Sequence, residues 1–269
     1  MFTQCFDEEL IKEYISLEKE VTLFFYGDLE NYGVNDKTAK YYINQIDGKI
    51  DSIILIFRNT LFSFYSQNED YNVQDVLGFI HDKKVSVFSG KESLIKKLLP
   101  YMGGYMMTST YFAKCSKVNK NVLIKDSEDI VIREITSKED KIDYVKSELS
   151  IAEFSVSFEN NNLDFNLHKM EDSILHGSTY LGLFVKGKLA SACSITASSS
   201  LSGMVVAVFT NKEYRGKGYA MKVVSELCNR AFKNGKEFLC LFYDNPTAGR
   251  IYHKIGFSDL DKYAMIRHK

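Results

Sequence analysis

The stretch Val208-Phe209-Thr210-Asn211-Lys212-Glu213-Tyr214-Arg215-Gly216-Lys217-Gly218-Tyr219-Ala220 constrains the fold of this chain more than any other. A short apolar run that reads as a strand meets a basic turn punctuated by glycines, and the turn opens onto a helical pattern. Ala220, Val223, Val224, Leu227, Cys228 and Ala231 fall at i, i+3, i+4, i+7, i+8 and i+11, a continuous apolar stripe. The first N–H groups of such a helix have no acceptor inside it, and its dipole places partial positive charge at the same end. Gly216 and Gly218 remove the Cβ atoms that would keep a phosphate away from the backbone, and Arg215 and Lys217 add charge. The order strand, glycine turn, helix predicts an anion site suited to a phosphorylated ligand. A dinucleotide-binding fingerprint would need a third glycine where Met221 stands, and a P-loop would need Gly-Lys-Ser/Thr. Here Gly216-Lys217 precedes Gly218, and Gly90-Lys91 precedes Glu92.

Composition bounds the ligand and its setting. The 269 residues suffice for one large domain or two ordinary ones, and 45% hydrophobic with 26% charged residues describes a globular chain. A net charge of -1 argues against a general nucleic-acid grip. The acidic start Met1-Phe2-Thr3-Gln4-Cys5-Phe6-Asp7-Glu8-Glu9 lacks a signal-peptide core, and no apolar run approaches the roughly 20 residues of a bilayer span. Cys5, Cys115, Cys193, Cys228 and Cys240 are scattered without a C-x-x-C pair, which predicts reduced packing residues in a cytoplasmic protein. His81, His168, His176, His253 and His268 show no metal-ligand spacing, so no metal is expected.

The most consistently polar stretch, residues 116–128, divides the chain into 1–115 and 129–269, although Val122-Leu123-Ile124 within it has strand character. Beyond the divide an α/β order emerges. Ile130–Ile135 reads as a strand, and Thr136 or Ser137 caps a helix carrying Ile142, Tyr144, Val145 and Leu149. A second helix is expected from Asn166 to Leu175. Tyr180–Val185 and Leu189–Thr196, joined by Lys186-Gly187-Lys188, form a hairpin, and Met204–Thr210 is the next strand. After the long helix, which Asn234-Gly235 ends, come the strand Phe238–Tyr243, a short helix opened by Asn245-Pro246, and a last strand around Tyr263–Ile266. The predicted order is β-α-α-β-β-β-α-β-α-β, with a mixed sheet.

This half resembles the GCN5-related N-acetyltransferase (GNAT) superfamily. Its acetyl-CoA loop, Arg/Gln-x-x-Gly-x-Gly/Ala, is matched by Arg215, Gly218 and Ala220. A second signature, Asn-x-x-Ala-x-x-x-Tyr-x-x-x-Gly-Phe, is matched by Asn245, Ala248, Tyr252, Gly256 and Phe257. The fuller strings look like a bacterial branch of predicted acetyltransferases that carry an extra N-terminal domain. The resemblance covers residues 129–269 closely and the first 115 only in outline.

The resemblance implies an acyl-CoA N-acyltransferase fold and acetyl-CoA as co-substrate. The loop Arg215, Gly216, Lys217, Gly218, Tyr219 and Ala220 would cradle the pyrophosphate. Val208, Phe209 and Thr210 would bind the pantetheine arm through backbone groups, on a strand that splays from its neighbour. Asn245 would hold the cofactor near the second helix, and Tyr252 would protonate the departing thiolate. The base that deprotonates the acceptor is less defined: Glu153, Glu159 or an ordered water. The acceptor would be a small-molecule or peptide amine, with no nucleic acid or membrane as partner. The oligomeric state, monomer or homodimer, stays open. A non-catalytic acyl-CoA sensor or scaffold is the alternative from another class.

The first 115 residues contain an opening helix from Glu8 to Leu17 and a hairpin of Ile53–Phe57 with Leu61–Tyr65. Val85–Phe88 reads as a strand, and Ser89-Gly90-Lys91-Glu92 as a cap and helix start with Leu94, Ile95, Leu98 and Leu99 on one face. The phosphate-loop pattern is missing. The economical expectation is a degenerate acetyltransferase-like half with a mixed sheet and no cofactor site.

Overall fold

The computed structural model describes residues 1–85, 87–119, 129–151 and 162–268. The chain forms two compact units. The first comprises Met1–Ala113, Phe242–Asp244 and Asp259–Lys269; the second comprises Lys114–Leu241 and Asn245–Ser258.

The first unit runs β1 (Thr3–Cys5), α1 (Glu8–Ile15), α2 (Leu23–Tyr32), β2 (Ala39–Ile46), β3 (Lys49–Phe57), β4 (Leu61–Ser66), α3 (Val73–Lys83), β5 (Val87–Lys91), α4 (Glu92–Lys96) and β6 (Tyr105–Cys115). Asp7 caps α1 by accepting from the Leu10 N–H, and Asn72 caps α3 by accepting from Gln74 and Asp75. Strands β1 to β4 pair antiparallel in sequence order, and β4 pairs parallel with β5 from Leu61↔Val87 to Phe64↔Gly90. This is the mixed sheet expected of residues 20–115. Two apolar layers cover it, one around Ile54, Phe64, Phe88 and Leu94, the other around Ile11, Phe25, Tyr41 and Tyr65.

The second unit repeats the element order: β7 (Ile130–Glu134), α5 (Lys138–Leu149), α6 (Leu163–Leu175), β8 (Thr179–Val185), β9 (Lys188–Thr196), β10 (Ser202–Thr210), α7 (Tyr219–Lys233), β11 (Phe238–Tyr243) and α8 (Pro246–Ile255). Ser137 caps α5, and Asn162 caps α6, which starts at Leu163, three residues before the start expected at Asn166. The β8–β9 hairpin turns through Lys186 and Gly187, both at positive φ. Pairing is antiparallel along β7-β8-β9-β10 and parallel between β10 and β11.

Two expectations need correction. Ser89-Gly90-Lys91 do not cap and open the helix: they continue β5, α4 begins only at Glu92, and a Cβ on Gly90 would stand 2.6 Å from the Phe64 carbonyl oxygen, so the glycine permits close strand approach. The final strand, β12 (Ser258–His268), does not join the second unit as the division at 129–269 requires. It pairs antiparallel with β5 of the first unit, from Tyr263↔Lys91 to Arg267↔Val87. There Ala264 and Ile266 are fully buried among Phe62, Phe64 and Phe88. Within the connecting segment 116–128, residues 120–128, including Val122-Leu123-Ile124, lie outside the described residues.

Candidate functional site

Strand β10 begins regularly and ends irregularly. Its parallel ladder to β11 spans Ser202↔Phe238 to Val205↔Leu241. On the other side it pairs with β9 through Val206↔Ser194, and the register then shifts, resuming at Phe209↔Ala192. Three steps on β10 match two on β9, a β-bulge that re-aims backbone groups. Ala207 adopts φ 51°, a left-handed conformation that costs a non-glycine residue about 1–2 kcal/mol. The far side is pinned: Ser191 Oγ donates to the Phe209 carbonyl at 2.6 Å, and Asn211 Nδ2 donates to Leu189 O at 2.8 Å and to Ser147 Oγ at 3.2 Å.

Beyond β10, Lys212–Tyr214 make a single 3-10 turn, and Arg215 is extended with its Nε donating to the Thr210 carbonyl at 3.1 Å. Gly216 and Gly218 both sit at positive φ, 77° and 75°, and a Cβ on Gly216 would meet nothing within 4 Å. Left-handed residues spaced this closely turn successive N–H groups toward one concavity. Helix α7 then starts without any side-chain cap, its first turn closed by Lys222 N–H to Gly218 O at 3.1 Å. The N–H groups of Tyr219, Ala220 and Met221 therefore come before the first intrahelical donor, Lys222, and have no acceptor within the helix. Arg215 through Gly218 are exposed, and Lys217 Nζ rests 5.5 Å from the centroid of the Tyr214 ring. The apolar stripe of α7 faces inward as predicted, with Val223, Val224, Leu227, Cys228 and Ala231 buried, and this packing fixes the direction in which the open helix start points.

Asn245 caps α8, its Oδ1 accepting from the Thr247 N–H at 2.8 Å, which leaves Nδ2 as the group it can offer a ligand. Tyr252 is buried on α8 and edge-on to Phe257 at 6.0 Å between centroids. Burial, reinforced by the Cys193 thiol, pushes its pKa up to about 12, so the phenol holds its proton at neutral pH. The last two positions of the signature are structural. Gly256 ends the helix at φ 129°, where a Cβ would collide with the Lys117 carbonyl, and Phe257 is buried. The loop, the bulged strand, Asn245 and Tyr252 all lie within the second unit.

Sequence reasoning missed Glu148. It occupies the last turn of α5, four residues after the buried Tyr144 and hence on the same helix face. Burial raises its carboxyl to about 7, partly offset by Lys169 on α6. The signal was present: an acid at i+4 from Tyr144, within the apolar period of that helix. Glu153 and Glu159 lie outside the described residues. All five cysteines are free and buried, and among the described residues no group of three or more His, Cys, Asp and Glu is placed to hold a metal ion. No helix among them is long and apolar enough to cross a membrane.

Comparison with known proteins fits this geometry. Residues 180–266, which include the bulged strand, the loop and both signatures, match the family described as FR47-like protein. A Drosophila protein of known structure is similar over 100% of this chain and 98% of its own, at 11% identity and TM-score 0.71. A GCN5-related N-acetyltransferase from Sphaerobacter thermophilus is similar over 99% and 95%, at 15% identity and TM-score 0.62. A tandem GNAT protein from the clavulanic acid biosynthesis pathway is similar over 99% and 97%, at 10% identity and TM-score 0.60. No curated protein matches the sequence. The chain has the fold of the GCN5-related N-acetyltransferase superfamily. Within that fold it carries an FR47-like segment and a tandem GNAT-like arrangement, the element order occurring once in each unit.

Proposed function

We propose that the protein transfers an acetyl group from acetyl-CoA to a primary amine, by direct attack in a ternary complex. The observation that carries this reading is the uncapped start of α7 behind two left-handed glycines, directly following a bulged strand. An open helix start with a concave backbone and three nearby cations, Lys212, Arg215 and Lys217, suits a pyrophosphate. Gly216, Gly218, Tyr219 and Ala220 supply N–H groups, and Arg215 and Lys217 supply charge. The ladder from β10 to β11 ends at Val205, so on that side Val208, Phe209 and Thr210 would offer backbone groups to an extended pantetheine arm, bound as a further strand would be. Acetyl-CoA supplies an activated thioester. A backbone N–H on this strand would donate to its carbonyl oxygen, a small oxyanion-type stabilisation. Tyr252, protonated at neutral pH, gives its proton to the departing thiolate, and Asn245 Nδ2 steadies the arm near α8.

Calorimetric titration with CoA is the first test. Saturable binding at one CoA per chain is expected, and no heat at about millimolar ligand, a limit of about 4 kcal/mol in binding free energy, sinks both the activity and the ligand. Binding without thiol release for any amine would leave a non-catalytic acyl-CoA sensor.

A further inference from the structure

We propose that Glu148 is the general base that takes the proton of the acceptor amine. This rests on the acetyl-transfer reading above and assigns the half of the proton chemistry that Tyr252 cannot supply. Glutamate is seldom found on the core face of a helix unless it is paired. Yet Glu148 is half-buried on the face of α5 that carries Tyr144 and Val145, and its carboxyl makes no hydrogen bond or ion pair among the described residues. A fold that tolerates such a group needs a reason for it, and an incoming ammonium provides one.

The surroundings connect it to the bulged strand. One turn earlier, the Tyr144 ring packs 5.4 Å from that of Phe209, the β10 residue at which pairing with β9 resumes, and 5.2 Å from that of Tyr180. Ser147, adjacent to Glu148, accepts from Asn211, the residue that follows β10. The last turn of α5 is thereby fastened to the end of the strand assigned to the acyl donor. The groups facing Glu148 are Tyr144 on its own helix, Tyr180 on β8 and Lys169 on α6. Lys169 is the one cation among them. The Tyr144 hydroxyl, wholly buried, lies beside Ser194 without reaching a hydrogen bond of normal geometry, a second polar group in this region short of a partner. A carboxyl raised to about 7 is half-ionised near neutral pH, where a base works best.

The protons balance as follows. The Glu148 carboxylate takes one proton from R–NH3⁺, and the freed nitrogen lone pair attacks the thioester carbon, forming C–N. As C–S breaks, Tyr252 protonates sulfur, and the second proton leaving nitrogen restores the phenol. Glu148 releases its proton to solvent. Ammonium and thioester have become amide, thiol and one proton.

Glu148→Gln tests the assignment. CoA titration and circular dichroism should match wild type. Thiol release from acetyl-CoA with a panel of primary amines (spermidine, glucosamine and an alanine tripeptide) should fall at least about tenfold, and the limb of the pH profile rising near about pH 7 should vanish. Hydroxylamine, already neutral at that pH, should be acetylated at near the wild-type rate. Glu148→Asp should recover part of the loss. A readout independent of turnover is melting temperature against pH. A carboxyl raised in the folded state binds more protons there than in the unfolded chain, so wild-type stability should fall as pH rises from the ordinary glutamate range to about 7, and Glu148→Gln should lack that fall. Unchanged rate and pH limb in Glu148→Gln overturn the proposal, as does equal loss with hydroxylamine, which marks a structural role. CoA binding with no turnover of any amine also counts against it, since a base needs a proton to take. Absent CoA binding in wild type brings down the acetyl-transfer reading itself, and the base with it.

Discussion

The two units place a helix after the fourth strand of the same element order, and begin it in opposite ways. Helix α7 opens on Gly218 with no cap, behind a segment holding Lys212, Arg215 and Lys217 against one acid, Glu213. Helix α3 opens on Asn72, whose Oδ1 accepts from Gln74 N–H at 3.0 Å and from Asp75 N–H at 3.2 Å. The segment ahead of α3, Gln67 to Asn72, has two acids, Glu69 and Asp70, and neither a base nor a glycine. One helix start presents bare donors and positive charge to a ligand; the other has consumed its donors internally and would repel an anion. The preceding strands differ likewise. β10 is bulged at the left-handed Ala207, whereas β4 keeps regular register with β3 throughout and approaches β5 closely at Gly90. The helix that follows the fifth strand differs as well, since α8 carries Tyr252 while the five-residue α4 has no tyrosine. A shared chain path thus does not bring a shared site. Capping, charge and one backbone irregularity decide which unit presents an open anion site.

Making the second unit resemble the first should remove its function piece by piece. Tyr252→Phe leaves α8 as bare of a phenol as α4. Turnover should drop by about a hundredfold with CoA affinity unchanged, as read by thiol release beside calorimetry, and full turnover in this variant would strip Tyr252 of its acid role. Gly218→Asp gives α7 an acid where α3 is preceded by acids. CoA affinity should weaken by about thirtyfold, or about 2 kcal/mol, with a modest fall in melting temperature because position 218 sits at φ 75°, and undiminished affinity would mean that the helix start is not the pyrophosphate site. Asn72→Ala strips α3 of its cap. Stability should fall by about 1 kcal/mol, with the calorimetric stoichiometry still one CoA per chain. A second CoA bound by this variant would show that the cap alone had separated the two units.

The parts of the site legible in sequence were those set within a few residues. Gly216 and Gly218 announce positive φ, Asn245-Pro246 announces a helix start, and the spacing from Val223 to Ala231 announces the buried face of α7, because each depends on local sterics and a 3.6-residue repeat. Glu148 was readable only in hindsight. Its place in the period of α5 is plain, but how deeply the helix sinks depends on Tyr180 and Phe209, which arrive from distant strands. Gly90 misled for a related reason. A glycine after a strand signals a turn by local rules, and only the neighbouring Phe64 carbonyl reveals that it marks a close approach instead.

By itself the sequence determined the order of elements in the second unit, the glycine loop ahead of α7 and the signature on α8, since capping, turn chemistry and periodicity act over one or two turns of chain. The tertiary structure alone decided that β12 pairs with β5, because a strand with Tyr263, Ala264 and Ile266 to bury fits any apolar sheet edge, and which edge it joins depends on packing around Phe62 and Phe88. It also decided that Ala207 is held left-handed between two flanking ladders, since no local preference places alanine there.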